Sequence, residues 1–301
     1  MSEYQYYEFV AVDRPLDQGQ MERLRVLSPQ AAITPTSFVS TYHWGDFRGD
    51  PRKLMEQHFD GFLHLATWGA RRVMLRLPAR LLPLEVANRY CVGDSARAWT
   101  TGNHVILDLS SEDEEGGWAH SGEGLLARII QVRAELASGD LRTLYLAWLA
   151  CVQAEDVGPN EPEPQVPPGL DGLSPSLRGL AEFLRVDPDL CAAAAASPPP
   201  DTAVPSAAQV ARWVAGLPTA DKDAILLRLL RDDDPHLRAE LLRRFRDQSA
   251  AGNGAHVRRT AGQLLVAAQA RQVERRREAV QRQAAEYARQ SEPRRRHPRH
   301  T

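Results

Sequence analysis

The chain is poor in the features that would place it quickly. No apolar run approaches the roughly 20 residues that a membrane span requires. Its first residues, Met1-Ser2-Glu3-Tyr4, show no basic segment followed by an apolar one, so secretion is not expected and the predicted location is the cytoplasm, away from membranes. Cysteine is scarce: Cys91, Cys151 and Cys191 are odd in number and far apart. That spacing excludes a disulfide framework or a zinc site and reads as small apolar core residues in a reducing compartment. Lysine is nearly missing, with only Lys53 and Lys222, so the basic charge is arginine. No Gly-Lys-Ser/Thr phosphate loop, Gly-x-Ser-x-Gly elbow or dinucleotide fingerprint occurs. The histidines form no metal motif; His58 and His64, six apart, fall on different faces of a helix. These absences argue against the familiar catalytic classes, and neither a catalytic residue nor a cofactor is predicted.

What is present is organisation. At 301 residues, 43% hydrophobic and 25% charged, the chain has the composition of an ordinary globular protein long enough for two cores. The net charge of −2 hides an asymmetry: residues 1–160 carry −6, residues 161–249 carry −4, and residues 250–301 carry +8.

Tyr4 to Val12 reads as a first strand, and Asp17 to Leu27 as a helix with Met21, Leu24 and Leu27 on one side. Ala32 to Tyr42 reads as a second strand, with Pro35 at an edge or bulge. Asp50 is a natural N-cap and Pro51 suits the first helical position. Leu54, Met55, Phe59, Phe62, Leu63 and Ala66 recur at helical spacing, so a helix is predicted from Asp50 to Trp68. A strand at Arg72–Leu77, a helical turn at Pro83–Asn88 and a hairpin of Ala96–Thr100 with His104–Leu109 across Thr101-Gly102-Asn103 follow. Two helices then close the domain, one marked by Leu125, Leu126, Ile129, Ile130 and Leu136. The other carries Leu141, Leu144, Tyr145, Trp148, Leu149 and Val152, and Ser138-Gly139-Asp140 turns between them.

Residues 158–173, rich in proline and acid, read as a linker. Beyond it the pattern is helical: Ser174-Pro175, Asp187-Pro188 and Asp234-Pro235 repeat the cap-then-proline device. A loose segment at 197–205 precedes short helices at Ala207–Ala215, Asp221–Leu230 and Pro235–Arg246, which weakly resemble one HEAT-type unit. A long charged helix runs from about Arg258 to Gln290. Val266, Val273, Val280 and Tyr287 recur every seven residues on it, with Ala270, Arg277 and Ala284 between, a poor coiled-coil seam. The basic residues 291–301 are expected to be disordered. The expected architecture is therefore an α+β domain over 1–157, a mixed sheet of about five strands with helices packed on it. An all-α region over 174–249 and a charged helix over 256–290 follow it.

Three stretches compete as sites. In the loop before Asp50, His43 would act as acid or base, Asp46 would orient it, and Arg48 would grip a carboxylate, with Tyr42 and Trp44 as binding surface. If Ala32–Tyr42 is a parallel strand, this loop lies at its carboxyl end, where α/β sheets bind ligands. Against an anion site, Asp46 and Asp50 crowd the helix N-terminus. The simpler alternative has Tyr42, Trp44 and Phe47 anchoring a loop that Gly45 and Gly49 turn. The acidic run Glu112–Glu115 with Asp108 before it would hold a hard cation, Asp108 and Glu112 being the weak metal candidates, or else is a solvated loop. Finally, Arg271, Arg275, Arg282 and Arg289 share one arc of the last helix, and Arg294, Arg295 and Arg296 follow, a possible nucleic-acid footprint. Glu278 and Glu286 lie four residues from Arg282, so a salt-bridged helix that joins a partner is the simpler account.

Several segments also carry a resemblance: Tyr7-Glu8-Phe9, Asp13-Arg14-Pro15-Leu16, Ile33-Thr34-Pro35-Thr36-Ser37-Phe38, Trp44-Gly45-Asp46-Phe47, and Val105-Ile106-Leu107-Asp108 with Ser111–Glu115. Together they resemble a family of bacterial proteins of unknown function with an N-terminal α+β domain and a charged helical C-terminal region. The resemblance implies a bacterial cytoplasmic protein and carries over no catalytic residue. The leading expectation is a non-enzymatic interaction or adaptor protein, using the Tyr42–Asp50 surface and a C-terminal helix that meets a protein partner or a second copy. A nucleic-acid-associated factor using the arginine-rich tail, and a metal-assisted hydrolase built on Asp108, Glu112 and His43, are the alternatives.

Overall fold

A computed structural model describes residues 4–113, 122–196, 207–231 and 258–291, with isolated positions between 237 and 248. Seven strands form one sheet in the order β2-β3-β1-β4-β5-β7-β6. They are β1 (Gln5–Val10), β2 (Ala32–Thr34), β3 (Ser37–Tyr42), β4 (Gly61–Ala66), β5 (Arg71–Pro78), β6 (Ala96–Thr101) and β7 (His104–Ser111). Every pairing is antiparallel. The expected mixed sheet of about five strands is thus larger and of one kind. Tight turns, which suit antiparallel neighbours, join β2 to β3, β4 to β5 and β6 to β7; the other pairings are made across longer connections.

Two of the additional strands come from segments with a different sequence reading. The predicted strand Ala32–Tyr42 is a hairpin: Pro35-Thr36 make its corner, and Thr34 Oγ1 meets Ser37 Oγ at 2.7 Å. Proline there sets the turn instead of marking a bulge. The predicted helix Asp50–Trp68 ends after two turns, as α2 (Pro51–Gln57), and its second half is β4. Asp50 does cap α2, accepting from the Arg52 and Lys53 amides at 3.0 and 3.3 Å. Phe62, however, points to one face of the sheet while Leu63 and Leu65 point to the other. A central strand buried on both sides carries a continuous apolar run, which also satisfies helical spacing.

The sheet separates two cores. On one face Phe9, Phe38, Phe62, Met74 and Ile106 lie beneath α1 (Gln18–Leu27), α2 and the 43–50 loop. On the other, Leu63, Leu65, Val73, Leu75, Val105, Leu107 and Leu109 meet a helical layer. That layer contains α3 (Leu84–Ala87), α4 (Leu125–Ile129), α5 (Val132–Ala137), α6 (Arg142–Gln153), α7 (Pro175–Phe183) and α8 (Pro188–Ala195). The first closing helix expected from sequence is the pair α4 and α5. A buried ionic clasp joins the layers. Asp60 is fully buried; its Oδ2 accepts from the Val12 and Asp13 amides at 2.6 and 2.8 Å, and its Oδ1 accepts from Arg76 Nη2 at 2.8 Å. Arg133 of α5 donates to the Arg76 carbonyl and to Asp13 Oδ2, both at 2.7 Å. With its oxygens occupied, the carboxylate's burial is compensated.

The proline-rich stretch 158–173 packs on the helical layer: Leu170 is buried, and Glu163 is 4% exposed. The Tyr145 hydroxyl donates to Glu163, which also accepts from Arg259 Nε and Nη2, each at 2.9 Å. Arg259 Nη1 reaches the Ala193 carbonyl at 3.0 Å. These bonds fix the start of the last helix, α11 (Ala261–Ser291), which buries Ala261, Leu264 and Ala268 beside α8. Arg275 then pairs with Asp189 at 2.7 Å. The heptad residues face the other way, Val266 being 65% and Tyr287 75% exposed, so the expected seam is not used among the described residues. Between α8 and α11 lie α9 (Ala207–Gly216) and α10 (Thr219–Arg231); most of the predicted third helix, and residues 292–301, fall outside the described residues.

Candidate functional site

The loop 43–50 is built from one anchor outward. Phe47 is buried against Tyr7, Phe38 and Phe9, with ring centroids at 5.2, 5.7 and 6.1 Å. Gly49 passes so close to the Phe47 ring that no side chain fits there. Tyr42 is tied down by its hydroxyl, 2.9 Å from Ser28 Oγ, and by an edge contact with Tyr7. His43 leans on the Tyr4 ring at 5.5 Å. Trp44 is different. It is 77% exposed, at a recess of about 560 Å3 lined also by Gln30, Ala32, Val39, Thr41, Tyr42 and His43. The sequence reading grouped Trp44 with the anchors; only Phe47 and Tyr42 serve as such.

Asp46, itself exposed, joins a polar row across the sheet. Gln5 Nε2 donates to Asp46 Oδ1 at 2.8 Å, and Gln5 Oε1 accepts from the Tyr7 hydroxyl at 2.7 Å. Since that oxygen only accepts, His64 Nε2, 3.2 Å away, carries the proton. Burial, reinforced by the Arg72 guanidinium, pushes His64 down to about 4, so its ring is neutral near pH 7. Burial, followed by the Asp46 charge, raises Tyr7 to about 12. Register places Ser40, Tyr7, His64, Arg72 and Ser110 side by side on one face. Gln5, Tyr7, His64 and Arg72 have no motif; their grouping needs the strand pairing, and only the alternation in Tyr4–Val12 hints that Gln5 and Tyr7 share a face.

The remaining candidates stay apart. Arg72 grips Asp108 in a two-pronged pair, at 2.8 and 2.7 Å, occupying both oxygens. His43 follows β3, four strands from β7, and Glu112 is exposed, so the set Asp108, Glu112 and His43 is not assembled. Among the described residues no cluster of three or more His, Cys, Asp or Glu has metal-binding geometry. Asp46 belongs to the Gln5 row and not to His43, and no bond of the structure joins Arg48 to either. Because β3 is antiparallel to both neighbours, the argument from a parallel strand's carboxyl end falls away.

Of the arginine stripe, Arg275 is paired with Asp189, and Arg282 with Glu278 at 3.7 Å. Arg271 lines a groove beside α8. The side chains of Arg289, Arg294, Arg295 and Arg296 lie outside the described residues, as do Glu114 and Glu115. No helix among the described residues is long and apolar enough to cross a membrane. No protein-family model, curated protein or solved structure matches the chain.

Proposed function

We propose that the protein is a non-enzymatic interaction protein whose α+β domain engages a protein partner through the loop Tyr42, His43, Trp44, Asp46 and Arg48. One observation carries this reading: Trp44 is 77% exposed on a loop that buried Phe47 and the Ser28-bonded Tyr42 hold in place. An indole held in water by a rigid support is placed to be buried by a partner, and tryptophan and arginine dominate the binding energy of interfaces. The C-terminal half of α11, with Val273, Val280 and Tyr287 exposed, is the second arm. A nucleic-acid role is less well supported, because Arg275 and Arg282 already have carboxylate partners.

The test is affinity capture from host extract with the wild type and Trp44→Ala. The substitution removes an exposed ring and should leave the melting temperature unchanged, while losing at least one protein that the wild type retains. Identical captured sets would sink the role of the loop.

A further inference from the structure

The last helix uses only one side of itself on the body. Ala261, Leu264 and Ala268 of α11 are buried beside α8, and Arg275 closes that contact on Asp189. Val266 lies about 160° around the helix from both Leu264 and Ala268, so it looks away from the body. Val273, Val280 and Tyr287 continue its line, and the four are 65%, 46%, 67% and 75% exposed in chain order. Ala270, Arg277 and Ala284 stand between them and are exposed too. A seven-residue period drifts by about 20° per repeat on a straight helix, a drift that a left-handed supercoil with another helix absorbs.

This stripe is complementary to its own reverse. With two copies antiparallel and Val273 of one level with Ala284 of the other, Ala270 comes opposite Tyr287 and Arg277 opposite Val280. The same three layers recur in reverse order, so the pairing is its own image under a two-fold axis. Tyrosine and valine then face alanine, large against small, as interdigitating layers require. Arg277 needs no new partner. Its Nη1 is 4.0 Å from Glu274 Oε2, with both side chains mostly in water, and its methylene stem is free to lie along Val280.

The parallel in-register alternative sets Arg277 against Arg277 at one layer, alanine against alanine at two others, and tyrosine against tyrosine. Charge and volume therefore select the antiparallel orientation and a second copy of this chain as the occupant.

We propose that α11 pairs antiparallel with α11 of a second copy along this stripe, making the protein a two-fold dimer. The proposal rests on α11 serving as an interaction arm and names what the arm takes. From Val266 to Tyr287 the seam is about 32 Å long. Each body grips the first half of its own helix, so the two bodies sit at opposite ends of the pair. Alanine layers bury little, which makes the dimer reversible and dependent on concentration.

Sedimentation of the full chain over a concentration series should show a monomer–dimer equilibrium. Val273→Asp/Val280→Asp would bury charge in the seam and should weaken the dimer by about a hundredfold or more, with an unchanged melting temperature because both sites are exposed. Trp44→Ala should leave the equilibrium as it is, so failure of the α11 pairing and failure of the loop are separate results. In a Cys191→Ser background, a mixture of Val273→Cys and Ala284→Cys chains should form an interchain disulfide on mild oxidation. Neither variant should link alone, because each cysteine lies about 16 Å along the axis from its own copy. A chain that stays monomeric up to its solubility limit overturns the proposal. So do a dimer indifferent to the aspartate pair, a mixture that fails to link, and single-cysteine variants that link by themselves, the mark of a parallel pair.

Discussion

The neutral histidine at the centre of the polar row makes stability depend on pH in a defined window. His64 ionises near its ordinary value of 6.5 in the unfolded chain and near 4 in the fold. Between these values the unfolded chain holds the proton and the folded chain does not, so acid favours unfolding. The contribution is fully present above about pH 6.5, declines as pH falls, and levels off below about pH 4, where both states are protonated. From the two pKa values, the loss is about 2 kcal/mol at pH 5 and about 3 kcal/mol at pH 4. The physical cause is desolvation first and the Arg72 charge second, with Asp46 opposing.

Carboxylates titrate in the same range, so the measurement is a difference. His64→Gln keeps an N–H donor within reach of Gln5 Oε1 but has nothing to protonate. Urea unfolding of both proteins from pH 7 to 4 should give curves that converge by about 2–3 kcal/mol as the wild type loses its advantage. Parallel curves would refute the buried neutral imidazole, as would a histidine titration by NMR with its midpoint near 6.5.

Three further outcomes follow from the packing. Asp60→Asn removes the charge that two guanidinia and two amides share, and unfolding free energy should drop by about 3–5 kcal/mol in chemical denaturation. Phe47→Ala empties the centre of the aromatic cluster, at a cost of about 3 kcal/mol, and should release Trp44, seen as a loss of fluorescence anisotropy. Gly262→Ala would place a methyl group 2.9 Å from the Pro159 carbonyl oxygen. It should lift α11 from the body and expose Arg258–Arg259 to trypsin, while the sheet's unfolding transition stays in place.

The parts legible in sequence are those decided by neighbours along the chain. Asp17 and Asp50 cap their helices as their residue types predict, and α6 follows its apolar spacing through Val152. The hairpin of β6 and β7 forms at Gly102-Asn103. The parts misread are those decided across the chain. Phe59 to Ala66 supports either a helix or a twice-buried strand. What selects the strand is Asp60, whose backbone and carboxylate are claimed by Val10, Val12 and Arg76. None of these lies within a helical turn of it, so no local window contains the deciding term.

The same distinction governs the candidate site. The sequence marks the loop before Asp50 because aromatic, glycine and charged residues crowd there, and that crowding is real. It cannot sort anchors from presenters, since Phe47 and Trp44 differ only in what lies behind them: four aromatic rings contributed by β1 and β3 in one case, water in the other. Asp46 shows the point from the polar side. Three residues from His43 in sequence, it looks like the partner of that imidazole; in the fold it is bonded to Gln5, 41 residues away, and through Gln5 to a different histidine, His64. The expected acid–base pair would have required His43 and Asp46 to face each other. Their divergence leaves the loop without that acid–base pair.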